Sequence, residues 1–77
     1  MSDAKKFTKE QADKMLFHVS SLDQTQRDTM KEHLHRLLDH GGGTLYKQSF
    51  HLELLKMQHA GELSEIDVHS VEKALFG

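Results

Sequence analysis

The run of three glycines at residues 41–43 constrains the fold of this chain more than any other feature. Three consecutive glycines inside a helix would cost roughly 1 kcal/mol each relative to alanine, so we expect no helix to pass through them. The sequence contains no proline, and only two glycines lie outside the run, Gly61 and the C-terminal Gly77. The glycines therefore divide the chain into two halves, and the composition of each half favours helix.

Apolar residues recur with the spacing of a helical face in four segments, two on each side of the glycines. This pattern predicts an all-α fold, a compact four-helix domain built from two helical hairpins joined at a Gly-Gly-Gly linker. The predicted helices cover residues 9–20, 22–39, 45–59 and 64–76 of a single domain that spans 1–77. Residues 1–6 are predicted to be a disordered tail.

Capping residues indicate where these helices begin. Thr8 and Gln11 have the spacing of a capping box, in which the two side chains bond reciprocally to backbone N–H groups. Two other pairs share this spacing before the second helix and leave its start open, namely Ser21 with Gln24 and Asp23 with Gln26. Thr44 and Ser64 are predicted to cap the third and fourth helices.

Composition excludes several classes of protein. The 77 residues include no cysteine, so there is no disulfide and no thiolate site. No apolar run approaches the ~20 residues of a membrane span, and the first six residues lack the apolar segment of a signal peptide. We therefore expect a cytoplasmic protein without membrane contact. A net charge of −2 argues against general affinity for nucleic acid.

No catalytic residue, metal ligand or cofactor is predicted. Glu32 and His35 have a spacing used by metal-binding helical bundles, with Asp39 a turn further on, but no second Glu-x-x-His pair is present. The glycine run lacks the spacing and the lysine of a phosphate-binding loop. A chain this short also has little room for a pocket that would keep catalytic groups dry and oriented.

The third predicted helix is apolar on two sides. Tyr46, Phe50, Leu54 and Met57 gather on one side, and Leu45, Leu52 and Leu55 gather nearly opposite. Such a helix is either central, with neighbours on both sides, or it leaves one stripe open to a partner. The residues predicted to form a partner-binding surface are the first stripe together with Phe17: Tyr46, Phe50, Leu54, Met57 and Phe17.

The leading functional hypothesis is a small non-enzymatic protein–protein interaction or regulatory module that uses an apolar helical face. Its partner would be another protein or a second copy of the chain. The alternative is a DNA-binding regulator with a helix-turn-helix-like hairpin around residues 59–64, for which the fourth helix is unusually acidic. A third hypothesis is that protonation of the seven histidines, which would make the chain net positive, switches assembly.

Overall fold

The computed structural model describes residues 3–77, which form four helices and one small sheet. The elements in chain order are β1 (Ala4–Lys6), α1 (Lys9–Phe17), α2 (Gln24–His40), β2 (Thr44–Tyr46), α3 (Lys47–His59) and α4 (Glu65–Phe76). The predicted, mostly helical architecture with four helices is confirmed, with the sheet as an addition. No helix within residues 3–77 combines the length and the apolarity that crossing a bilayer requires.

The sheet pairs β1 with β2 in antiparallel register, with Lys5 opposite Leu45. The prediction of a disordered tail is therefore wrong for residues 4–6, while residues 1 and 2 lie outside the described residues. The physical reason is a long-range pairing that helical periodicity cannot reveal. Leu45 is buried in the core, and the backbone amide of Phe7 donates to the carbonyl of Gly43 at 3.0 Å, which fixes the strand beside the glycine turn.

Helix boundaries follow the capping residues more closely than the apolar spacing. The capping box of Thr8 and Gln11 begins α1 as predicted, but α1 ends at Phe17 instead of residue 20. Of the two open pairs before α2, Asp23 and Gln26 form the box, so α2 begins two residues later than predicted.

The third helix begins without its predicted cap, whereas the fourth keeps its predicted cap. Thr44 does not cap α3, because residues 44–46 are committed to β2 and the helix begins at Lys47 without a side-chain cap. Ser64 caps α4 as predicted, in a capping box with Asp67.

The helices form a ring of neighbours around one core. In each half the two helices pack as a hairpin, and between halves α1 packs on α4 while α2 packs on α3. The largest fully buried side chains come from all four helices and from β2: Phe50, Leu16, Met30, Leu34, Leu45, Leu54, Met57, Leu75 and Val71. Helix packing thus buries most of the apolar residues of the chain.

The two halves repeat one order of elements, a strand followed by a helical hairpin. The first hairpin buries Ala12, Leu16 and Val19, and the second buries Phe50, Leu54 and Met57 at the same i, i+4, i+7 spacing. The second helix of each half begins in a capping box immediately after a buried leucine. Because the ring runs α1, α2, α3, α4, the outer surface of the α1–α2 pair lies opposite that of the α3–α4 pair.

Candidate partner-binding groove

Three of the residues predicted to bind a partner belong to the hydrophobic core. Phe50 and Leu54 are 0% exposed and Met57 is 1% exposed, because this stripe of α3 faces the other helices of the chain. A buried side chain has no surface to offer in this fold. The prediction that this stripe forms a partner-binding surface is therefore wrong for these three residues.

The other two predicted residues are exposed but lie in different places. Tyr46 is 53% exposed beside the start of α3, and Phe17 is 69% exposed at the end of α1. Tyr46 lines a depression formed with α3 and α4, whereas Phe17 lines one formed by α1 and α2. The structure does not bring them together into the single surface that the sequence analysis expected.

The open side of α3 carries the opposite stripe. Leu52 is 52% exposed and Leu55 is partly exposed, while Leu45, which the helical projection grouped with them, is buried in β2. The two-sided apolar pattern of α3 thus corresponds to one covered side and one side that is partly open. The periodicity indicated both sides, but it carried no signal for which one faces the core.

A continuous groove runs along the outer surface between α3 and α4, and we refer to it as the α3–α4 groove. It consists of two adjoining depressions of about 670 and 520 Å³ that share His51 and Glu72. The first depression is lined by Asp3, Tyr46, Lys47, Gln48, Ser49, His51 and Glu72. The second is lined by His51, Leu55, Gln58, Glu65, Ile66, Val68, His69 and Glu72.

A hydrogen bond between the two helices marks the junction of the depressions. The ring nitrogen Nδ1 of His51 lies 2.6 Å from Oε1 of Glu72 and donates to it. Both side chains remain partly accessible, so the pair joins α3 to α4 and at the same time forms part of the groove wall. Sequence reasoning missed both residues, because their separation in the chain gives no pattern that would link them.

The second depression combines apolar surface with negative charge. Ile66 is the most exposed large apolar side chain among the described residues, at 72%, and Leu55 lies on the α3 side of the same depression. Glu65 and Glu72 are its two carboxylates, and no lysine or arginine lines it. A surface of this kind favours an apolar ligand with positively charged flanks.

A second exposed surface lies between α1 and α2, and we refer to it as the α1–α2 patch. It surrounds a depression of about 360 Å³ lined by Asp13, Lys14, Phe17, Gln24, Arg27 and Lys31. The guanidinium of Arg27 lies over the ring of Phe17, 5.4 Å from its centroid, at the distance of a cation–π contact.

Two arginines of α2 have partners within the chain. Arg36 donates to Oε2 of Glu53 at 2.6 Å, and Arg27 donates to the carbonyl of Leu22 at 2.8 Å. Both guanidinium groups are thus oriented by the protein itself. Lys31 contributes to the α1–α2 patch.

Within residues 3–77, three histidines pair with a carboxylate on a different helix. Besides His51, the ring nitrogen of His35 donates to Asp13 at 2.8 Å, and that of His33 donates to Glu53 at 2.5 Å. These pairs join α1 to α2 and α2 to α3. In residues 3–77 no three histidine, aspartate or glutamate side chains converge as a metal ion would require.

Comparison of the chain with protein-family models, with curated proteins and with solved structures gives no match.

Proposed function

We propose that this chain is a small, non-enzymatic protein-interaction module whose α3–α4 groove binds an amphipathic helix of a partner protein. The observation that carries the proposal is the groove itself, in which an isoleucine that is 72% exposed shares one depression with two carboxylates. Exposed apolar residues that share one depression, as Ile66 and Leu55 do, often mark a binding site.

The apolar part of the groove would supply most of the binding free energy. Full burial of an exposed isoleucine or leucine side chain contributes about 1.5–3 kcal/mol. Ile66 and Leu55 line the same depression, and Tyr46 lies in the adjoining one. A helix with apolar residues at i, i+3 and i+7 presents a stripe that matches a groove between two helices.

The charged part of the groove would determine which helix binds. Glu65 and Glu72 favour a partner with lysine or arginine on either side of its apolar stripe. The same carboxylates repel a phosphate backbone, and α4 would have to approach DNA with them if the α3–α4 hairpin acted as a helix-turn-helix. The geometry therefore supports a basic protein segment over DNA.

The proposal is tested with a synthetic helical peptide that carries leucines on one face and lysines on both flanks. We expect this peptide to bind, and its counterpart with glutamates in place of lysines not to bind. Replacement of Ile66 by serine should weaken binding about tenfold, the equivalent of ~1.4 kcal/mol. Leu52→Ser is the matched control, because Leu52 is a comparably exposed aliphatic residue on α3 that does not line the groove.

The proposal is contradicted if both peptides bind equally, or if Ile66→Ser and Leu52→Ser weaken binding to the same extent. Either result would indicate nonspecific adsorption to apolar surface instead of recognition in the groove.

A further inference from the structure

We infer that the α3–α4 groove of one molecule binds the α1–α2 patch of a second copy, so that copies associate head to tail. This inference rests on the proposed function, because it assigns an occupant to the same groove. Three observations lead to it: an exposed aromatic ring on the patch, opposite charge on the two surfaces, and their positions on opposite sides of the molecule.

Phe17 is the group that would enter the groove. Its ring is 69% exposed, and the contact with Arg27 on α2 holds it at the outer surface of the α1–α2 pair. Aromatic residues and arginine are the side chains most enriched at the centres of protein interfaces. Ile66 and Leu55 in the α3–α4 groove offer apolar contact to the exposed part of this ring.

The charges on the two surfaces are complementary. The patch is lined by Lys14, Arg27 and Lys31 and by one carboxylate, Asp13, so its fixed charge is net positive. Of the two α3–α4 depressions, the one that contains Ile66 has two carboxylates and no lysine or arginine. A copy that placed its patch there would bring positive groups against Glu65 and Glu72, whereas two patches or two grooves would repel each other.

The arrangement of the helices determines the kind of assembly. The patch and the groove lie on opposite sides of the ring of helices, so each molecule can bind one neighbour on each side. A contact between two different surfaces is heterologous, and it forms an open series unless the rotation between copies closes a ring. The assembly is therefore expected to grow beyond a dimer.

The full chain is first examined by sedimentation velocity over a range of concentrations and salt. We expect the mass to rise past that of a dimer as concentration increases, and to fall toward that of a monomer when salt screens the charges. A chain that stays monomeric throughout, or that stops at a dimer, overturns the inference.

The decisive experiment mixes two variants that each lack one surface. Phe17→Ser removes the ring but keeps the groove, and Ile66→Ser alters the groove but keeps the ring. Both residues are exposed, so circular dichroism should show unchanged helicity. Each variant alone should be monomeric, and the equimolar mixture should form a one-to-one dimer that does not grow.

The mixture also separates this inference from other modes of association. If the wild-type chain assembles but the mixture stays monomeric, the contact does not join patch to groove and the inference is wrong. Leu52→Ser should assemble as the wild type does. In a second pair of variants, Lys14→Glu and Glu65→Lys should each weaken assembly about tenfold, and mixing them should restore growth, because each patch then meets a groove of opposite charge.

Failure of the inference is distinguishable from failure of the proposed function. The lysine-flanked peptide can be titrated into Phe17→Ser protein, which retains the groove but cannot occupy that of another copy. Peptide binding by this variant, together with a monomeric wild-type chain, would refute self-association and leave the proposed function standing. Absence of peptide binding in the same variant would refute the proposed function.

Discussion

The side-chain amide of Gln26 donates to the carboxylate of Asp67 at 3.0 Å and so joins the starts of α2 and α4. Each residue closes the capping box of its own helix, with Asp23 and Ser64 respectively. The same amide also donates to the carbonyl of Glu62 at 3.3 Å. The two halves of the chain are thus connected through the residues that begin their second helices.

The environment of Asp67 lowers its pKa. Burial of this carboxylate, which is only 5% exposed, acts in the opposite direction and raises the pKa. Hydrogen bonds from the backbone of Ser64 and from the side chains of Ser21, Ser64 and Gln26 stabilise the charged form, and together they outweigh burial. The pKa of Asp67 therefore lies below its ordinary value, and the ionised carboxylate stabilises the fold.

Replacement of Asp67 by asparagine should lower the free energy of unfolding by about 2 kcal/mol at neutral pH, the usual contribution of hydrogen bonds to a charged group. Because the folded-state pKa is the lower one, this stabilisation is present above the unfolded value of about 3.9 and is lost as pH falls through the folded value. Urea unfolding at a series of pH values should show the difference between wild type and Asp67→Asn shrinking with acidification.

The control for this prediction is Asp39→Asn. Asp39 pairs with Lys9 on the surface, where an ion pair contributes at most about 1 kcal/mol. A difference between wild type and Asp67→Asn that stays constant with pH would contradict the assignment of a lowered pKa to Asp67.

Substitutions at Phe50 and Tyr46 should have different effects on stability. Phe50 is fully buried, and its truncation to alanine should cost about 3–5 kcal/mol, a large share of the stability of so small a domain. Tyr46 is half exposed, and Tyr46→Ser should change the free energy of unfolding by less than about 1 kcal/mol. Thermal unfolding followed by circular dichroism measures both. Equal losses in the free energy of unfolding would contradict the finding that Phe50 is buried and Tyr46 is half exposed.

Substitution at Gly41 should destabilise the fold more than substitution at Gly42. A Cβ atom at Gly41 would overlap the carbonyl oxygen of Thr44, which belongs to the backbone and cannot move away without a shift of the turn. Gly41→Ala should therefore destabilise the fold by about 2 kcal/mol. At Gly42, with φ of 62°, a side chain meets no atom within 4 Å, and asparagine tolerates this left-handed backbone.

We accordingly expect Gly42→Asn to change stability by no more than about 0.5 kcal/mol. Urea unfolding of the two variants compares them directly. If Gly42→Asn proved the more damaging, the close approach of Gly41 to Thr44 would not be what makes glycine necessary in this turn.

The helices could be predicted from the sequence because their caps involve residues close together in the chain, whereas the sheet could not. The capping boxes of Thr8 and Ser64 depend on residues three positions away, so the sequence displays them directly. The pairing of Lys5 with Leu45 joins segments forty positions apart and has no periodic signal in three-residue strands. For the same reason Thr44 had the character of a helix cap but lies in a strand.

The candidate site, too, could be predicted only in part from the sequence. The apolar character of α3 on two sides was evident from helical projection, but projection does not say which side the other helices cover. From the sequence alone, Phe50 and Leu55 were equally good candidates for an interface. In the structure Phe50 is buried and Leu55 is partly exposed. The groove also depends on Ile66 and Glu72 of α4, and only the packing of α4 against α3 brings them beside His51.

The binding site of the lysine-flanked peptide can be mapped by titrating the peptide into ¹⁵N-labelled Phe17→Ser protein, in which the groove stays free of other copies. We predict that the backbone amide shifts that change on titration cluster at Leu55, Ile66, His69 and Glu72, and that Lys14 and Lys31 on the opposite side remain unperturbed. Shift changes centred on the α1–α2 patch, or spread evenly over the surface, would contradict the assignment of partner binding to the α3–α4 groove.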